Sequence, residues 1–245
     1  KSPHIRYIMK RLVDFGGPEE IQYLSNPHIG SDRIRRLLPP LREFLLKNGC
    51  EIQFNTRLVD IKFVGKSVAG ILTQKSHPSS QASAQAPTQA PSPTQFLACD
   101  HLLLATGHSA DDVFQILKKH EILIEGKSFA VGLRVEHPQT EINKTQLREL
   151  SEAKEIGAAT YRLASHDHTR GLGVYSFCMC PGGFVLSSGT EIDGTVCNGM
   201  SNYQRNSPYA NAAIVITIDH EKMFGKSPNA GLDFRRNLEV KSHRY

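Results

Sequence analysis

HLLLATGHSADDVFQILKKH, residues His101–His120, joins a short apolar run to a Thr-Gly turn and then to an amphipathic segment. The run Leu102–Ala105 is too short for a helix of its own and predicts a strand buried on both faces, as in the parallel sheet of an α/β domain. Ala105-Thr106-Gly107 then turns the chain. Ser109 is spaced to cap the following helix, with Asp112 three residues on at the capping-box distance. Val113, Ile116 and Leu117 make the apolar stripe, and Lys118, Lys119 and His120 suit the negative end of the helix dipole. In open α/β sheets the crevice at the carboxyl end of such a strand is where nucleotides and cofactors bind. A strand-turn-helix that holds no ligand satisfies the same pattern.

Working outward, the chain of 245 residues is long enough for one large domain or two ordinary ones. It carries 29 basic and 24 acidic residues, a net charge of +5. The excess is spread along the chain, and the local basic face at Arg33, Arg35, Arg36 and Arg42 lacks interleaved aromatics, so no nucleic-acid partner is expected. Cys50, Cys99, Cys178, Cys180 and Cys197 are odd in number and sparse. They fit an intracellular, reducing compartment, cytosol or organelle stroma, better than a disulfide framework. No apolar run approaches the roughly 18 residues of a membrane span, and none resembles a secretory signal. The chain opens on Lys1, which is expected of a fragment or a processed product.

On the amino-terminal side, Ile5–Val13 predicts a short helix and Gly16-Gly17-Pro18 a loop. Ser31 or Asp32 is expected to cap a helix carrying Ile34, Leu37, Leu38, Leu41, Phe44 and Leu45, and Pro39-Pro40 to split or kink it. Glu51–Phe63 reads as extended, with Val68–Leu72 returning across Gly65-Lys66. Ser76–Gln95, SHPSSQASAQAPTQAPSPTQ, has no periodicity and little to bury, and is expected to be a disordered insertion between strands.

On the carboxyl-terminal side, Phe129, Val131, Leu133 and Val135 alternate with Ala130, Gly132, Arg134 and Glu136, the period of a half-buried strand. Ile142–Ala153 predicts a helix. Tyr175–Cys180 and Phe184–Ser188 predict a hairpin across Pro181-Gly182-Gly183. Ala212–Ile218 is a late strand, and beyond Gly225 the signals fade into a basic tail. Residues 1–126 are thus expected to form one domain and the strand-rich 127–245 another, truncated at its carboxyl terminus.

Motifs for specific chemistry are sparse. Gly-Lys-Ser occurs at Gly65, Gly126 and Gly225, but Asp60, Glu121 and His220 stand where a phosphate loop needs its first glycine. No G-x-G-x-x-G occurs anywhere. Cys178 and Cys180, two apart, would point to one face of a strand. Their spacing differs from zinc-binding C-x-x-C pairs, so no metal is expected, and a reactive thiol pair and two buried structural cysteines both remain open. His108 and His137 suit either proton transfer or a structural hydrogen bond.

Five blocks stand in order: Pro27–Asp32 (PHIGSD), the ATGHSA turn, Phe129–Gln139 (FAVGLRVEHPQ), Tyr175–Gly183 (YSFCMCPGG) and Asn198–Ser201 (NGMS). In that order they resemble a family of FAD-dependent dehydrogenases found in bacteria, plants and algae. The resemblance runs from about Phe15 to Asn237 apart from the insertion. It implies an α/β, glutathione-reductase-like FAD/NAD(P)-binding domain, here partial, and a strand-rich α+β substrate domain. The implied activity is that of a FAD-dependent oxidoreductase acting on an unidentified small molecule, with NAD(P)H as a candidate electron donor. Cofactor-side residues by resemblance are Val59, Ala105, Thr106 and Gly107. Arg134, His137, Cys178 and Cys180 fall in blocks facing the substrate side and are the catalytic candidates. The family's glycine-rich turns are missing from this sequence, so the chain alone is expected to bind FAD weakly and to be inactive. A non-catalytic binding or scaffold protein that retains the fold is the alternative.

Overall fold

A computed structural model of the chain describes residues 2–75, 92–151, 153, 156–169, 171–189 and 193–245. They form two compact units, Glu51–Glu125 and, together, Lys1–Cys50 with Gly126–Tyr245. The first fifty residues group with the strand-rich half.

Helix α1 (Pro3–Asp14) starts under Ser2, whose hydroxyl accepts from the Ile5 amide, with Pro3 at the position where a missing N–H costs nothing. A single 3-10 turn, Glu19–Gln22, buries Ile21 completely. Helix α2 (Ser31–Lys47) runs unbroken through Pro39-Pro40, where a split or kink was expected. The prolines deprive the carbonyls of Arg35 and Arg36 of donors, but both residues are exposed and water can take those bonds. Leu37 is the buried anchor of the helix.

In Glu51–Glu125, β1 (Thr56–Val64) and β2 (Ser67–Lys75) form the expected hairpin, with Gly65 in the left-handed region. β3 (Thr94–Ala98) pairs antiparallel with β2, so Thr94 and Gln95 belong to a strand and not to the expected insertion. Residues 76–91 of that insertion lie outside the described residues. Helix α3 (Asp111–Lys119) packs Val113 and Ile116 on the unit's core. The apolar run Leu102–Ala105 is not a strand buried in a parallel sheet. It belongs to no ladder, and Leu103 is 90% exposed. A strand buried on both faces needs a neighbour on each side, and every strand pair among the described residues is antiparallel and formed elsewhere. The cap differs too. Ala110 precedes the helix without a side-chain cap, Ser109 meets His108, and Asp112 pairs with Arg57.

In the other unit, β4 (Phe129–Pro138) leads directly into α4 (Gln139–Leu147) and a 3-10 turn at Arg148–Leu150. β5 (Ala164–Asp167), β6 (Leu172–Cys180), β7 (Gly183–Ser187), β8 (Cys197–Ser201) and β9 (Tyr209–Ile218) follow. An antiparallel sheet has the order β4-β9-β6-β5, and β7-β8 form a separate two-stranded ribbon. The expected β6-β7 hairpin therefore does not form a ladder: β6 spends its bonds on β5 and β9, and β7 on β8. β9, central in its sheet, buries Ala210, Asn211 and Ala212 completely. The alternation expected in β4 holds only in part, because Leu133 is 75% exposed.

The basic tail expected beyond Gly225 is instead α6 (Ala230–His243), which follows the short α5 (His220–Phe224). What holds them is tertiary. Phe129, Phe224 and Phe234 stack within 6.4 Å of one another, and Gly126 and Gly231 lie flat against the His220 ring. The fold is thus mixed α and β with antiparallel sheets. Among the described residues no helix is long and apolar enough to cross a membrane.

Candidate functional site

β6 ends in Cys178-Met179-Cys180, and its pairing with β9 slips between Phe177 and Cys180. Cys178 sits at this bulge with φ +48°, a conformation that cysteine adopts at a cost of about 1 kcal/mol or more. The expectation that both thiols share one face of a strand is overturned, since the bulge interrupts the alternation. Cys178 is exposed and Cys180 is buried, with the Cys180 sulfur 3.4 Å from the Cys178 carbonyl oxygen. Burial, then the neighbouring Cys178 sulfur, push the Cys180 thiol up, against a smaller opposing pull from Arg134.

Arg134 reaches this pair from β4. Its Nη1 donates to the Asn211 side-chain oxygen at 2.7 Å and to the Cys178 carbonyl at 3.2 Å. Asn211 is fully buried, and its Nδ2 has no hydrogen-bond partner. These groups converge over Gly199 of β8. A methyl group there would overlap the Asn211 oxygen and the Arg134 guanidinium and press on the Cys180 sulfur. Glycine is required here for close approach.

Pro181-Gly182-Gly183 carries the chain away from the thiols and is locked in place. The Gly182 amide donates to the Gln139 side chain at 2.8 Å, Ser201 Oγ donates to the Pro181 carbonyl at 2.8 Å, and Gly182 lies against the Arg205 backbone. The PHIGSD block docks beside it. Ser31 Oγ donates to the Ser201 carbonyl at 3.1 Å, the Tyr203 amide donates to Asp32 at 2.8 Å, and His28 Nε2 lies 3.0 Å from the Asn202 carbonyl. Ser31 and Asp32 thus make tertiary bonds, and the helix cap falls to Gly30 at φ +86°. Two cavities flank Cys178–Pro181. One, of about 400 Å³, is bounded by Pro27–Ser31 and by Gly199–Ser201. The other, of about 520 Å³, is lined by Tyr161, Arg162, Ser176 and Arg205.

Arg134, Cys178 and Cys180, three of the catalytic candidates, are therefore brought together. His137 is not with them. It stands three residues beyond Arg134 on the same strand, hence on the opposite face. Its ring meets Tyr161 at 5.5 Å, and its Nε2 is buried without a partner. Tyr161, whose hydroxyl burial keeps protonated, lines the larger cavity, and His137 is not among its lining residues. Asn211 was not singled out from the sequence, though a lone amide within Ala210–Ala213 is a readable signal, and Gly199 was quoted only as part of the NGMS block. Val59, Ala105, Thr106 and Gly107 all lie in Glu51–Glu125. Val59 falls in a break of the β1-β2 register, between Leu58 and Asp60, and has no cross-strand partner. Ala105, Thr106 and Gly107 are exposed, and Gly107, at φ +78°, has open space around it. Next to Val59, buried Asp60 is met by Lys119 at 2.8 Å, His120 at 2.6 Å and Lys62 at 3.7 Å. The Lys119 ammonium first, then His120, hold its carboxyl far below the usual carboxylate range. Among the described residues no group of three or more His, Cys, Asp or Glu is placed to hold a metal.

Residues 128–245 match a protein family described as "FAD-dependent protein, C-terminal domain-like". That span contains the Arg134, Cys178 and Cys180 cluster and both glycine contacts that shape it. An uncharacterized protein of Clostridium beijerinckii is 33% identical over 239 residues, covering 98% of this chain and 41% of that protein. The chain therefore spans less than half the length of this curated relative. The family match supports a flavoprotein relationship and association with FAD.

Proposed function

We propose that this chain is part of a FAD-dependent oxidoreductase, with its cofactor-side residues in Glu51–Glu125 and its substrate-side residues around Cys178–Pro181. The observation that carries the reading is the family match, because it falls on the unit that assembles Arg134, Cys178 and Cys180. The cofactor-side residues fit the group they would meet. Val59 lacks a ladder partner, which leaves its backbone available to a nucleotide edge, and the turn at Thr106-Gly107 is open. Bound flavin would supply the hydride chemistry, and the protein its binding and orientation. In this reading Val59, Ala105, Thr106 and Gly107 bind one side of the cofactor, while Arg134 orients the cysteine turn where substrate enters. Glu51–Glu125 is then the partial glutathione-reductase-like nucleotide-binding domain, and the strand-rich unit the substrate domain.

The α3 amino terminus does not serve as the pyrophosphate seat in this proposal. Asp111 and Asp112 occupy its first turn, and their charge opposes a phosphate there. FAD binding then depends on a glycine-rich segment that this sequence does not contain. The test is flavin absorbance and FAD-dependent thermal stabilisation, measured for this chain and for a polypeptide extended by such a segment. The chain alone should show neither, and the longer polypeptide both. A longer polypeptide that folds and stays colourless would end the reading. Reduced nicotinamide is the electron donor in this proposal; a bound flavin that keeps its colour when NADH or NADPH is added without oxygen would remove that part.

A further inference from the structure

We propose that Cys178 and Cys180 form a dithiol-disulfide exchange centre whose substrate is an anionic low-molecular-weight disulfide. Three features point there. The cysteines lie two apart, one exposed and one buried, with the Cys180 sulfur 3.4 Å from the Cys178 carbonyl oxygen, which is the arrangement of an attacking and a resolving cysteine. The bulge that sets Cys178 at positive φ breaks the regular strand at this pair, so the two side chains are not held to the spacing that alternate residues of a strand keep. Cys178 also lines the cavity of about 520 Å³ that contains Arg162 and Arg205, and Arg205 Nε is buried there without a hydrogen-bond partner. Two arginines lining one cavity with an exposed cysteine favour a disulfide that carries carboxylates.

The exchange balances without flavin. The Cys178 thiolate attacks one sulfur of R–S–S–R, forming Cys178–S–S–R and expelling R–S⁻, which takes a proton. Cys180 then loses its proton to water and attacks the Cys178 sulfur, closing the Cys178–Cys180 disulfide and expelling the second R–S⁻, which is protonated in turn. The protein loses two electrons and two protons, and the small disulfide becomes two thiols. Arg134, held by Asn211, fixes the carbonyl between the two sulfurs and acts as a positioning residue.

The test treats the purified protein with glutathione disulfide, alkylates the remaining thiols and digests with chymotrypsin. Cleavage after Phe177 and Phe184 isolates Cys178–Phe184, free of the other cysteines. This peptide should appear unalkylated and two hydrogens lighter, while exposed Cys50 and Cys197 carry only glutathione adducts or alkyl groups. The cationic disulfide cystamine should act about tenfold more slowly. Cys180→Ser should stop the reaction at a glutathione adduct on Cys178. Full alkylation of the peptide, or an adduct that persists on Cys178 in the parent protein, would overturn the exchange centre without needing any variant. Equal rates with cystamine would overturn the anionic substrate class. Since no flavin takes part, failure of the flavin experiment leaves this result unaffected.

Discussion

In Glu51–Glu125 the buried carboxylate of Asp60 is met by Lys119, His120 and Lys62, whereas in the larger unit the buried amide of Asn211 binds Arg134 with its oxygen and leaves its Nδ2 without a partner. The first arrangement is closed: both carboxylate oxygens have partners, and it fastens α3 to the β1-β2 hairpin. The second keeps an uncompensated donor at a cost of about 1–3 kcal/mol, next to a strained Cys178 and the buried thiol of Cys180. Matched polar groups in the interior mark a fastening, while unspent ones packed around reactive groups mark a site.

The most direct way to break that contrast is Gly199→Ala. The added methyl would overlap Asn211 and Arg134, so the cluster must open. A loss of about 3 kcal/mol in urea unfolding is expected, with Cys180 becoming accessible to alkylation in the folded protein. Unchanged stability and a protected Cys180 would mean that the cluster is not packed as tightly as its contacts indicate.

Asp60→Asn sharpens the other side. Each bond to a charged partner lost at a buried carboxylate weighs more than a neutral one, and about 2 kcal/mol at neutral pH is expected. The sign with pH follows from the lowered folded-state value. The stabilisation is complete above the ordinary carboxylate range, about pH 4 to 5, and is lost as pH falls through the folded value. The parent should therefore lose stability steeply on acidification while the variant follows a flatter curve. Parallel curves for the two proteins would show that Asp60 is not the closed centre of its unit.

Local signals were readable wherever they decide structure locally. The β1-β2 hairpin follows from Gly65-Lys66 between two apolar runs, and α3 from its stripe and its cationic last turn. Signals that depend on a distant neighbour were not readable. α6 reads as a tail until Phe234 meets Phe129 and Phe224, and Ser31 reads as a cap until Ser201 takes its hydroxyl. Of the catalytic candidates, Arg134, Cys178 and Cys180 converge because a bulge, a glycine and a buried amide bring them together. His137 misses them through strand parity, which its block of sequence does contain. The bulge at Cys178 has no local signature, since cysteine is a poor choice for positive φ and only the surrounding bonds impose it.

Leu102–Ala105 lies outside both arrangements, an apolar run with neither a ladder nor a closed core around it. Leu103, 90% exposed, has nothing to lose within this chain, so Leu103→Ser should change its stability by less than about 0.5 kcal/mol. The same substitution in a longer flavin-binding polypeptide distinguishes two uses of the run. If a parallel neighbour covers it there, the cost should rise to about 2 kcal/mol, the transfer energy of a buried leucine, and flavin retention should fall with it. An equally small cost in both contexts would mean that the run stays exposed, and that Thr106 and Gly107 are held by α3 and its Asp112–Arg57 pair rather than by a sheet.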